Sequence, residues 1–185
     1  MINAKLVQFF FFATQVTLVV GMGHGGMGHG CMGHRGMRGM GNGEMMDMIH
    51  NLLDHREDIV REYVNTESGI ESWTTSGNSD VALWIQTHVY HMTTLMNSET
   101  GGIRLCDDLF ERMFTLRDNH EMIVNNTADG VHVVQKVADN VEDTDEAECT
   151  IELIQKHAEV VSKFVDRGMS EMHANHPAPE KCAVY

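Results

Sequence analysis

Two copies of one short pattern constrain this chain more than any other feature. Trp84-Ile85-Gln86-Thr87-His88-Val89 and Leu153-Ile154-Gln155-Lys156-His157-Ala158 each set Ile-Gln-x-His inside an amphipathic run. Apolar residues fall at 81, 84, 85, 89, 92, 95 and 96 in the first run and at 151, 154, 158, 161, 164 and 165 in the second. That is the spacing of a helix with one buried stripe. In both runs the histidine lies on the stripe. A polar ring recurring in the same apolar setting predicts an internal repeat, with one imidazole pointing into each half's core.

The sequence between these helices repeats as well. A first helix over 44–60 leads to a hairpin at 63–75, turning at Asn65-Thr66-Glu67-Ser68-Gly69. After a loop capped by Ser79 or Asp80 comes the helix over 81–96. A third helix over 107–121 carries Leu109, Phe110, Met113, Phe114 and Leu116 on one face, extended by His120. A second hairpin, 123–137, turns at Asn126-Thr127-Ala128-Asp129-Gly130, and a fourth helix occupies 149–171. Asn-Thr-x-x-Gly recurs at an offset of 61 residues and Ile-Gln-x-His at 69, the acidic loop 139–148 absorbing the difference. The expected fold is α+β: two αββα repeats forming a four-stranded antiparallel sheet with helices mainly on one face.

What precedes the globule differs in kind. Lys5 followed by an apolar run over 6–20, with Phe9-Phe10-Phe11-Phe12, is the pattern of a signal peptide over 1–21, cleaved after Gly21. The run gives about 22 Å of helix against a hydrocarbon core of roughly 30 Å, too short for a good anchor. The protein is therefore expected to be secreted, periplasmic or extracellular, without stable membrane insertion after cleavage. Secretion also makes the four cysteines disulfide candidates.

Residues 22–43 then form an arm in which Met22-Gly23-His24, Met27-Gly28-His29 and Met32-Gly33-His34 repeat every five residues and decay toward Met37 and Met40. Glycine at this density cannot sustain a packed element, so the arm is expected to be disordered until bound. Thioethers and imidazoles on a loose backbone are soft-to-borderline ligands that suit copper, with Met22, His24, Met27, His29, Met32, His34, Met37 and Met40 as the metal set. A chain starting at Met22 also places His24 third, the arrangement of an amino-terminal Cu(II) chelate. The plain alternative is a glycine-rich leader without ligand chemistry.

Charge narrows the partners. The formal net charge of −14 is concentrated after residue 43, where 10 Lys/Arg stand against 27 Asp/Glu. Such a globule is expected to repel nucleic acid and anionic lipid; attraction of cations stands against the plainer reading of a solvated acidic surface. A metal ion is the expected partner, and the sequence names no protein partner.

Within the globule, 44–176, one histidine falls on the apolar face of each helix: His55, His88, His120 and His157. His88 and His157 lie about 12 Å into their helices and His55 about 8 Å from the same edge, so those three are expected to meet at one level, with His120 nearer the rim. Converging neutral imidazoles would serve a transition metal or a haem iron. The plain alternative for each is a core histidine bonded to a backbone carbonyl. No nucleophile elbow or phosphate-binding glycine loop occurs.

Ile49-His50, Leu52, His55, Ile59, Gly69-Ile70, Ile85, His88-Val89, Met92, Asp108-Leu109-Phe110 and Gly130-Val131 resemble an uncharacterised, mostly bacterial family of small α+β proteins. The likeness is most specific over Leu153-Ile154-Gln155-x-His157-Ala158-x-Val160-Val161-Ser162-x-Phe164-Val165 and Asn175-His176-Pro177. It implies the fold unit and no known activity. Cys106, the long acidic loop and the Met/His arm depart from it, and His120 has no counterpart.

Three functional expectations follow: copper captured by the arm with a histidine site in the globule; a haem- or metal-dependent redox enzyme on the buried histidines; or a cofactor-free structural or interaction module. For the cysteines, successive antiparallel elements put the starts of the third and fourth helices at opposite ends, which excludes Cys106–Cys149. The tail 177–185 is then expected to bring Cys182 to Cys106, leaving Cys31 for Cys149 or for metal.

Overall fold

The computed structural model describes residues 42–98 and 107–184. The expected signal peptide, the eight arm residues from Met22 to Met40 named as metal ligands, and Cys31 and Cys106 lie outside them. The elements are α1 (Asn42–Asp54), β1 (Ile59–Thr66), β2 (Gly69–Ser76), α2 (Ser79–Met96), α3 (Asp108–Thr115), β3 (His120–Thr127), β4 (Gly130–Val137) and α4 (Thr144–Arg167). Short 3-10 turns follow α1, α3 and α4, and another closes the tail at Glu180–Val184.

The strands form one antiparallel sheet in the order β1-β2-β4-β3. Alternation decides what each strand shows to the core. Ile70, Ser72 and Ser76 of β2 and Val131, Val133 and Gln135 of β4 are buried on one face. The opposite face is open, with Val60 61%, Val64 51% and Ile123 45% exposed. There Trp73 stacks on His132 at 5.1 Å, and His132 Nε2 lies 2.8 Å from Glu71 Oε1. At the centre of the sheet Ser72 pairs with Val133, two residues separated by the same 61 positions as the turns. The two hairpins therefore face each other symmetrically across that pair.

The helices cross over. Val81 and Ile85 of α2 pack on Val131 and Val133 of the second hairpin. Ile154 and Ala158 of α4 pack on Ile70 and Tyr63 of the first. α3 lies along α4, burying Leu109, Met113 and Leu116 against Leu153 and Val160. Side chains as buried as Leu109, Leu153 and Ile154 contribute about 1.5–3 kcal/mol each. Two glycines permit the close central pairing: a Cβ on Gly69 would run into the Gln135 carbonyl, and one on Gly130 into that of Thr74. Gly168 ends α4 at φ +60, where a Cβ would also meet Arg56 Cδ and Nε at 2.9 Å.

Several expected boundaries move. Ile59 and Val60 belong to β1, because the chain leaves the helix at Asp54 and turns through Arg56–Asp58. In the same way α3 ends at Thr115, and His120 opens β3 instead of closing a helix. The acidic loop is partly helical, with α4 starting at Thr144 on the Asp143 cap, whose side chain accepts from Glu146 N. The cap of α2 is Asn78, which accepts from Asp80 N at 3.0 Å.

The cysteine expectation is corrected. Cys149 is bonded to Cys182, with a Cα–Cα distance of 5.1 Å. The tail does reach the start of α3, where Leu109 N donates to His176 O at 3.0 Å. It then doubles back along α3, lining a groove with Asp108, Arg112 and Thr115 through Pro177 and Pro179. Eight helical residues span only about 12 Å, so the few residues from 177 to 182 suffice to carry Cys182 back to the first turns of α4. Lys181 completes the attachment with Nζ 2.9 Å from both Glu148 Oε2 and Glu152 Oε1.

Candidate functional site, a polar interior

The glutamine of each Ile-Gln-x-His has a structural task that reaches across the two halves. Gln86 Nε2 donates to Thr127 O at 2.9 Å and Gly130 O at 3.1 Å, and Gln155 Nε2 to Thr66 O at 3.1 Å and Gly69 O at 3.3 Å. Each helix thus ties down the turn of the hairpin belonging to the other half. The histidine two positions later is carried over the sheet by the same helix.

Three of the four core-face histidines enter this interior. Burial pushes His88 from an ordinary 6.5 down to about 4, with a smaller push from His91. Burial alone does the same to His120. His157 falls to about 3, by burial first and then by the positive ends of Arg61, His120 and His88. All three rings are neutral at pH 7. Parts of these residues remain at the surface, yet His88 Nδ1 and His120 Nε2 are fully buried and have no hydrogen-bond partner. His120 Nδ1 lies 3.1 Å from Gln135 Nε2, and the edge of His157 meets Phe110 with centroids 5.5 Å apart.

Arg61 adds a charge. Its Nη1 donates to Thr74 Oγ1 at 2.6 Å, the residue opposite it in the ladder, while its Nε is buried without a partner. Burial lowers it to about 10, which leaves it charged at neutral pH, and nearby Tyr63 opposes that shift. The interior therefore holds a guanidinium, three neutral imidazoles, Gln135 and Thr74 under the two crossing helices.

His55 does not join it. Its side chain is 47% exposed, with Nδ1 3.4 Å from Asp58 Oδ2 and its ring 5.3 Å from that of Trp84. Because α1 stops at Asp54, His55 leaves the helical stripe that would have turned it inward. His55 is therefore at the surface while His88 and His157 are turned inward, and His157 feels the charges of His120 and His88. Among the described residues no three His, Cys, Asp or Glu side chains form a group able to hold a metal ion. Arg61 and Gln135 were readable only from strand alternation, which puts them on the same face as Tyr63 and Val133.

No family model, curated protein or solved structure matches the chain.

A second polar group fastens the tail. His176 is buried between two carboxylates, Nδ1 2.6 Å from Asp107 Oδ2 and Nε2 3.2 Å from Glu171 Oε1. Burial would raise the Glu171 carboxyl, but hydrogen bonds from His176 and Arg167 hold it below the usual range. Asp107 also caps α3 by accepting from Phe110 N at 3.2 Å. With every ring nitrogen engaged, His176 acts as a clasp and offers no free ligand atom.

Proposed function

We propose that this is a secreted metal-binding protein whose amino-terminal Met/His arm captures copper. The observation that carries the reading is the three Met-Gly-His units at five-residue spacing, which concentrate soft ligands within a short stretch of sequence. Two further features support it. The globule beyond residue 43 is strongly acidic, which raises the local concentration of cations. The Cys149–Cys182 disulfide suits an oxidising compartment, where a leader like 1–21 would deliver the chain. We also take the two αββα halves as copies of one unit, on the offset shared by the turns and by the Ser72–Val133 pair.

Cu(I) titration of the mature chain against a competing chelator tests this. A variant with Met22, Met27, Met32, Met37 and Met40 changed to Leu and His24, His29 and His34 to Asn should lose the tight sites. Equal stoichiometry in both proteins refutes the arm as the copper ligand.

A second reading, a haem- or metal-dependent redox centre on the buried histidines, is favoured by the unpaired Nδ1 of His88. Added haemin should then give a Soret shift that His88→Gln removes.

A further inference from the structure

The outer face of the sheet lies apart from everything the copper reading uses, and the strand register lines up one row across it. Glu62 pairs with Trp73, Trp73 with His132 and His132 with Asn125, so the four share that face from edge to edge. Trp73 and His132 stack with ring centroids 5.1 Å apart, and Val60, Val64 and Ile123 stand exposed around them. α2 and α4 pack on the opposite face. An apolar face left open in this way is a site of self-association.

The row ends at a chemical signal. Asn125-Asn126-Thr127 is the one Asn-x-Ser/Thr in the chain, with no proline at its middle position, and is the acceptor pattern for an N-linked glycan. In the first half the matching position, 61 residues earlier, is Val64, so the pattern is peculiar to the second. Asn125 lies in β3, an edge strand, is exposed, and its amide makes no side-chain hydrogen bond among the described residues. A bulky sugar on that amide displaces no contact of the fold. Thr127 Oγ1 donates to Asp129 Oδ1 at 2.9 Å in the closed hairpin, so the acceptor tripeptide is read on the extended chain before the turn forms.

We propose that Asn125 carries an N-linked glycan whose first sugars lie across the outer face over His132 and Trp73. This rests on the secretion half of the proposed function, which brings the chain to the compartment where such transfer occurs, and is independent of copper. The donor is a polyprenyl-diphosphate-linked oligosaccharide. Asn125 Nδ2 bonds the anomeric carbon of its first sugar, and one amide proton is lost to solvent. The bond from that carbon to the diphosphate oxygen breaks, its electron pair leaving on the lipid diphosphate. His132 lies one strand in from Asn125 and Trp73 two, roughly 5 and 10 Å across the sheet, a distance that the first two sugars span. The apolar C–H face of a pyranose then packs on the rings, and the bulk of the glycan keeps Ile123 and the β3 edge from pairing with another copy.

To test this, the full chain with its own leader is expressed in a eukaryotic secretory cell. Protein from the medium is digested and treated with peptide-N-glycosidase in heavy-oxygen water. Asn125 is expected to be recovered as aspartate labelled with one heavy oxygen. Asn125→Gln should lose the glycan mass completely, whereas Asn126→Gln and Thr127→Ser preserve the acceptor pattern and should keep it. Acrylamide should quench tryptophan more strongly in Asn125→Gln than in the glycosylated protein, because Trp73 loses its cover while Trp84 is unchanged. A secreted chain bare at Asn125 overturns the proposal and leaves the secretion reading standing. A chain retained in the cytosol overturns both. Equal quenching in the two proteins refutes the placement of the sugars over Trp73.

Discussion

Lowering the pH should unfold this protein by way of its three buried imidazoles. The perturbation is proton uptake by the unfolded chain, where a histidine titrates near its ordinary 6.5, while His88 and His120 in the fold resist protonation down to about 4 and His157 to about 3. A group whose folded pKa is depressed contributes its stability above the unfolded pKa and loses it as the pH falls toward the folded one. The window is therefore pH 6.5 down to about 4, with His157 extending it to about 3. Within it the unfolded state binds up to three more protons than the fold, a slope of up to about 4 kcal/mol per pH unit. By pH 5 each ring has cost about 2 kcal/mol and the three together about 6, comparable with the whole stability of a domain this size.

Urea unfolding at pH 7.5, 6.5, 5.5 and 5.0, at fixed ionic strength, measures that slope directly. Replacing one ring by glutamine removes one titrating group, so the slope of His157→Gln should fall by about one proton, or about 1.4 kcal/mol per pH unit. The comparison with wild type separates the imidazoles from carboxylates, which titrate lower and are common to both proteins. A wild-type stability that is flat between pH 7 and 5 refutes the reasoning. So does a His157→Gln slope equal to that of wild type.

The glutamines give a second prediction. Gln86→Ala and Gln155→Ala each remove two hydrogen bonds to turn carbonyls of the opposite hairpin, and each should cost about 1–3 kcal/mol in urea midpoint, with near-additive effects because the sites lie at different turns. The disulfide gives a third. Non-reducing peptide mapping should recover Cys149 with Cys182, and breaking that link, which spans 33 residues, should cost about 3–4 kcal/mol on the chain-entropy model.

Much of this fold is legible because its signals are local. The paired Asn-Thr-x-x-Gly turns sit where the strands reverse, between Thr66 and Gly69 and between Thr127 and Gly130. The stripes of α2 and α4 can be read by counting apolar residues. The helix ends were lost for an equally physical reason. Ile59 and His120 continue a helical spacing on paper, but a three-residue turn shifts the phase just before each, and the period becomes two. Since the candidate site depends on that phase, His55 drops out of the interior and His120 enters it. The disulfide partner was hidden for another reason: the direction of a tail after a turn is set by tertiary contacts, here His176 against Asp107 and Glu171, and no local pattern encodes it.

The repeated pattern also divides its labour in a way that counting apolar residues does not reveal. A helix that lies on its own hairpin could be anchored by apolar contacts alone, because the connecting loop already limits where it can go. A helix that crosses to the other half's hairpin has no such tether, so its register must come from directed bonds. Gln86 and Gln155 supply them at two backbone carbonyls of each turn. Once that register is set, the residue two places on is fixed over the sheet, whatever its chemistry. The histidines at 88 and 157 are therefore placed by their neighbours, and neither ring nitrogen of His88 is needed to hold the fold. Nδ1 of His88 is accordingly left unpaired, at the cost in acid stability worked out above. A purely structural residue at that position would have been better served by leucine or valine. The imidazole of His88 and the guanidinium of Arg61, which bonds Thr74 through Nη1 but leaves Nε without a partner, thus keep buried polar atoms unsatisfied in the same interior.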